Sequence, residues 1–284
     1  MLTLADAGLR VDVLDPSASE ELPRQGLRFC RGGYIWQIHD DRLGALLSGP
    51  EYPAPAPIPF NGQGLPESFR HRTREGRPLT WRDGEGLAPG IGRLGLDARG
   101  EPVLVAPCAW TITALPGQLV FQTRDAGAGL DYELTRQLEL RDRVLHSRNQ
   151  LTNTGRRALQ LQWFAHPFWP LREGQARLQL PAGARLAENP GFTVDPTGTL
   201  SFHRPFRTAE DQQFALLELP SALPLTLTLD HPQLPRVEFG TSFAPDECPV
   251  WANARTISVE PYLTLDLAPG ATRHWELRHA FPCS

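Results

Sequence analysis

Two side chains stand in contexts suited to acid–base chemistry. His166 lies in L-T-N-T-G-R-R-A-L-Q-L-Q-W-F-A-H-P-F-W-P (151–170), among Trp163, Phe164, Phe168 and Trp169 and directly before Pro167. A residue preceding proline is held to extended backbone, so its side chain leaves the chain in a fixed direction. Imidazole titrates nearest neutrality of all side chains, as a general acid or base requires. An aromatic neighbour such as Phe168 offers an apolar floor for a ligand ring. The other reading of a His among aromatics is a hydrogen-bonded core residue. Glu260, in I-S-V-E-P-Y-L-T-L (257–265), also precedes a proline and stands two residues before Tyr262. A carboxylate at such a rigid strand end reads as a general base or as a solvated Glu on an outer face.

Other groups could bind rather than react. Residues 68–77, S-F-R-H-R-T-R-E-G-R, set Arg70, Arg72, Arg74 and Arg77 around His71. Clustered guanidinium groups recognise phosphate through paired hydrogen bonds, and they also serve as an ordinary solvated face. Asp246 and Glu247 lie in a Pro-rich loop just before Trp251, where they read as acceptors for ligand hydroxyls or as solvated loop acids. His279 continues the apolar face of the last strand and reads as a packed residue.

Composition narrows the classes. The 28 basic residues are all Arg, which removes Schiff-base catalysis by Lys and the phosphate-binding Lys of a P-loop. Against 32 acidic residues they leave a net charge of −4, without the basic excess of a nucleic-acid binder. Cys30, Cys108, Cys248 and Cys283 form no C-x-x-C pair, so neither a zinc site nor a disulfide framework is indicated, and nothing suggests a metal. No apolar run approaches the roughly 20 residues that span a bilayer, and the N-terminus lacks the basic and apolar regions of a signal peptide. A cytoplasmic protein without a membrane partner is the expectation.

The elements that must position these groups are strands. Tyr132, Leu134, Leu138 and Leu140 alternate with polar residues, Arg141-Asp142-Arg143 reads as a turn, and a second strand runs from Val144 to Leu151 before a further turn at Asn153-Thr154-Gly155. Residues 225–229 alternate Leu and Thr, and the C-terminus reads as a hairpin pairing 257–267 with 272–281 across Ala268-Pro269-Gly270. No helical stripe lasts three turns, and 25 Gly with 28 Pro suit many short strands. These features predict an all-β protein, a large antiparallel β-sandwich formed by residues 1–284 as a single domain. The Pro-rich stretch 50–59 reads as a surface loop rimming a cleft.

The succession L-T-N-T-G, His166-Pro167-Phe168 and, 94 residues after His166, Glu260-Pro261 resembles the aldose 1-epimerase (galactose mutarotase-like) superfamily. The resemblance implies a β-sandwich with an open sugar cleft that interconverts α and β anomers without a cofactor. By analogy Glu260 takes the proton of the anomeric hydroxyl and His166 protonates the ring oxygen, with acid and base on opposite sides of the sugar ring. Val250-Trp251-Ala252-Asn253-Ala254 resembles the stretch before the Glu in the hexose-6-phosphate epimerase branch, with alanines interrupting it, which makes Trp251 a cleft residue and Asp246 a hydroxyl acceptor. Gly62-Gln63-Gly64-Leu65-Pro66-Glu67 resembles the family's Gly-rich segment and adds Gln63. Where the family has a sugar-binding His-Gly pair, Pro89-Gly90-Ile91-Gly92 places Ile91, and His71 is the nearest substitute. Two readings follow: an epimerase acting on a free hexose or a hexose 6-phosphate, and a sugar-binding protein that keeps the cleft without efficient catalysis.

Overall fold

The computed structural model describes residues 1–70, 79–220 and 222–283. Among them a four-residue helix, Leu22–Gln25, accompanies an otherwise all-β architecture with antiparallel strand pairing. A ten-stranded sheet has the consecutive strands Thr111–Leu115, Gln118–Gly127, Leu130–Arg141 and Val144–Asn153 along one side. Thr272–Ala280 follows them in the sheet, joining them to Val237–Thr241 and the remaining strands. Facing it are a three-stranded sheet (Tyr262–Leu267, Leu159–Ala165, Glu67–Arg70) and a five-stranded sheet containing Trp169–Pro170, Thr256–Val259 and Cys248–Ala252. Their inner faces share one apolar cluster. Aromatic rings tie the layers together: Trp163 of the three-stranded sheet meets Trp275 of the ten-stranded one at 5.4 Å between centroids, and Trp169 meets His279 at 5.5 Å.

Period-two alternation builds these faces as the sequence predicts. In Leu130–Arg141 every second residue from Leu130 to Leu140 is buried, and a two-residue turn with positive φ at Asp142 and Arg143 leads into Val144–Asn153. One member of the buried set is charged. Arg136 is fully buried and meets Glu67, itself buried, at 2.6 Å. The pair is saturated: Arg136 also donates to Asn149 Oδ1 and Gly32 O, and Glu67 accepts from Ser147 Oγ and Asn149 Nδ2. Strand Glu67–Arg70 is thereby pinned to the large sheet.

The expected C-terminal hairpin is not formed. Tyr262–Leu267 pairs with Leu159–Ala165 in the three-stranded sheet, whereas Thr272–Ala280 pairs with Val144–Asn153 and Val237–Thr241 in the large one. Both strands alternate, so the sequence pattern alone does not separate a hairpin from an arch between layers. The turn at 153–155 likewise crosses from the large sheet to the three-stranded one. Asn153 joins the two crossings: its backbone bonds Ala271 O and Gly270 N, while Nδ2 donates to Leu267 O and Arg157 O and Oδ1 accepts from Gly155 N. Asn153→Ala strips these side-chain bonds from a buried site, and chemical denaturation is expected to register a loss of about 2–3 kcal/mol. A change within about 0.5 kcal/mol would show that the arch holds without it.

Candidate active site

His166 and Glu260 meet because two neighbouring chains change sheet at the same level. Leu159–Ala165 pairs with Tyr262–Leu267, but immediately beyond His166-Pro167 the chain pairs through Trp169 and Pro170 with Ile257 and Thr256 of the five-stranded sheet. The partner chain makes the same passage in the opposite direction at Glu260-Pro261. Proline has no N–H to give a ladder, which suits it to such a break. The flanking backbone is fixed: His166 N donates to Pro66 O at 2.9 Å, Phe168 N to Gly64 O at 2.8 Å and Glu260 N to Pro249 O at 2.8 Å.

Around the imidazole the contacts are specific. Nε2 lies 3.3 Å from Glu260 Oε1, and Nδ1 lies 2.9 Å from Ser258 Oγ. Phe168 packs at 4.4 Å between centroids, and Phe29, Phe164 and Trp251 stand at 6.0–6.3 Å. The acid and base inferred from the resemblance thus lie within reach of one another on one wall, with no ring's width between them. A carboxylate at Glu260 only accepts, so a hydrogen bond across this contact requires the imidazole hydrogen on Nε2, with Nδ1 then the acceptor.

The pair opens onto a cleft of about 650 Å³ walled by Phe168, Trp251, Tyr262, Phe60 and Phe214. Pro50, Glu51 and Ile58 of the Pro-rich loop rim it, as that stretch predicts. Of the site residues read from sequence, His166, Glu260, Phe168 and Trp251 come together here. Two others stand elsewhere. Gln63 is buried and bonds Tyr34 Oη through its backbone N–H, outside the cleft lining. Asp246 accepts from Thr264 N and lines a separate depression with Phe243 and Leu263. His71, with Arg72, Arg74 and Arg77, lies outside the described residues. Ile91 is buried with Ala88 and Leu94 and does not line the cleft.

Sequence reasoning missed Ser258, Arg28 and the cleft role of Arg70. Ser258 was legible in principle, since it precedes Glu260 by two residues at the end of an extended segment and so falls on the same side. Arg28 has no local signal. Its guanidinium stacks between Phe29 and Phe60 at 4.9 and 4.8 Å and donates to Phe60 O. Arg70 lies over Tyr262 at 5.6 Å and reaches Gln162 Oε1. Both arginines line the cleft and an adjoining lobe of about 320 Å³, and neither is ion-paired with a carboxylate among the described residues.

Burial, with the Arg28 charge beside it, pushes the His166 pKa well below the ordinary 6.5. Burial and the Arg28 charge thus both disfavour the imidazolium. Burial lowers His231 as well, and takes the packed His279 down to about 3. Below about pH 6.5 the unfolded chain binds protons that these folded histidines refuse, so stability is full above that value and declines as pH falls towards the folded pKa values. For His279 the loss between pH 7 and 5 is about 2 kcal/mol. Denaturation curves of His279→Leu are expected to be flatter by about that amount over this range; an unchanged slope would place the acid sensitivity elsewhere.

No protein-family model and no curated protein matches the sequence. Solved structures do match. A galactose mutarotase related enzyme from Lactobacillus acidophilus superposes with a TM-score of 0.63 at 12% identity, covering 99% of this chain and 97% of that one. The chain has the galactose mutarotase-like fold. A galactose mutarotase-like protein from Lactobacillus casei (TM-score 0.61, 12% identity) shares this fold over 99% of this chain and 100% of its own. So does a candidate aldose 1-epimerase from Escherichia coli K12 (TM-score 0.60, 15% identity), over 99% and 98%. At these identities the likeness fixes architecture, and the chemistry rests on the residues in the cleft.

Proposed function

We propose that the protein is an aldose 1-epimerase-type enzyme that interconverts the anomers of a sugar by opening and reclosing its ring. The observation that carries this reading is the 3.3 Å juxtaposition of His166 Nε2 and Glu260 Oε1 on the wall of an aromatic-lined cleft. O1 and the ring oxygen O5 share carbon C1, so groups serving both must sit close together. Glu260 takes the O1 proton as C1=O1 forms and the C1–O5 bond breaks. The electron pair left on O5 takes the Nε2 hydrogen, and the proton on Glu260 passes across the short contact to Nε2. The net change is one proton moved from O1 to O5, with the pair restored. Rotation about C1–C2 and the reverse sequence give the other anomer. A neutral imidazole suits this role, because its N–H stabilises charge as it develops on O5.

Arg28 and Arg70 favour a sugar bearing an anionic group, phosphate or carboxylate, that reaches into the adjoining lobe. Polarimetry on freshly dissolved α-D-glucose, α-D-galactose, their 6-phosphates and the corresponding uronic acids tests both parts. Saturable acceleration supports the enzyme reading, and higher kcat/KM for the anionic sugars supports the lobe's role. Equal rates for neutral and anionic forms would remove the arginines from recognition, and no acceleration with any of them would remove the activity.

A further inference from the structure

We propose that Ser258 is a positioning residue that fixes the orientation of the His166 ring; the inference rests on the acid role given to His166 above. Ser258 is fully buried and its Oγ lies 2.9 Å from Nδ1. It cannot touch a sugar in the cleft, whose lining does not include it. Apart from Glu260 at the other nitrogen and the Arg28 charge nearby, the side chains around the ring are aromatic: Phe29, Phe164, Phe168 and Trp251. The hydroxyl therefore supplies the polar partner for a nitrogen that would otherwise be buried against carbon.

The geometry follows from strand periodicity. Ser258 and Glu260 are two residues apart, so their side chains leave the same side of the chain and grip the imidazole at opposite nitrogens. Glu260 demands a hydrogen on Nε2, which leaves Nδ1 bare and makes Ser258 Oγ the donor. The hydroxyl thereby holds the nitrogen that carries the reactive hydrogen beside Glu260 at the cleft wall, from which O5 must receive it. It also opposes a half-turn of the ring, which would present carbon to Glu260. A single Ser-x-Glu segment thus holds both the base and the partner that orients the acid.

Ser258→Ala is expected to lower kcat about 10- to 100-fold, the scale found when the hydrogen-bond partner orienting a metal-bound His is removed, with KM changed less than about twofold. Ser258→Thr, which restores a hydroxyl, is expected to recover most of kcat. The decisive readout needs no turnover. In protein labelled with ¹⁵N-histidine, the His166 signals should show a protonated Nε2 and a bare, hydrogen-bonded Nδ1, and Ser258→Ala should move the Nδ1 shift to that of a nitrogen without a donor while Nε2 keeps its proton. A wild-type Nδ1–H, or an Nδ1 shift and kcat both unmoved in Ser258→Ala, would overturn the proposal. Because the spectrum is taken without sugar, a failure of the epimerase reading would appear as inactive wild type and is distinguishable from a failure of this one.

Discussion

Glu260→Gln is expected to lower kcat for anomer exchange by about 10²- to 10⁴-fold, the range that general acid–base groups contribute, with sugar affinity changed only a few-fold. The amide matches the carboxylate in shape and its oxygen can still accept from His166 Nε2, so the cleft and its aromatic walls stay in place. What is lost is the base. Without it O1 keeps its proton, and the return transfer to Nε2 has no source. Polarimetric rates and calorimetric binding on the same preparation separate the two effects. Unchanged kcat would remove Glu260 from the mechanism, and lost binding with normal kcat at saturation would make it a binding group instead.

Breaking the Glu67–Arg136 pair is expected to have the largest effect on stability. Both side chains are almost completely removed from water and lie 2.6 Å apart, with Ser147 and Asn149 completing their bonds. Glu67→Gln leaves an uncompensated guanidinium in the core and Arg136→Met an uncompensated carboxylate; each is expected to cost about 3–5 kcal/mol. The double variant Glu67→Gln/Arg136→Met should cost clearly less than the sum, because it removes both charges together. Urea denaturation checks this, and strictly additive losses would contradict the pairing. The consequence reaches the site, since Glu67 begins the strand carrying Ser68 and Arg70, and the preceding Pro66 carbonyl receives the His166 N–H.

How far the sequence was legible depends on which interactions are local. The Leu130–Arg141 alternation was readable because burial on one face imposes a period of two. Arg136 fell within that alternation as an exception, and its partner Glu67 lies 69 positions away, beyond any local pattern. The two X-Pro steps were visible and marked two residues that meet in the cleft, but their meaning as sheet crossings depends on pairing. The final strands show the limit most clearly. Alternation is the same for a hairpin and an arch, and what distinguishes the arch is tertiary, such as the bonds of Asn153 to residues 267, 270 and 271 across the crossing. Asp246 and Gln63 were placed in the cleft by motif likeness, whereas Thr264 and Tyr34 engage them elsewhere. Arg28 carried no signal because what makes it notable, the rings of Phe29 and Phe60 and the lobe beside it, is tertiary.

The most direct test of the central claim is two-dimensional exchange NMR on equilibrated anomers of neutral and anionic aldoses, with catalytic amounts of wild-type protein or Glu260→Gln. The account predicts cross-peaks between the α and β anomeric protons at mixing times where the sugar alone gives none, and their disappearance in the variant. Wild-type protein that binds a sugar yet produces no exchange with any aldose would contradict it, leaving a cleft that holds sugars without opening them.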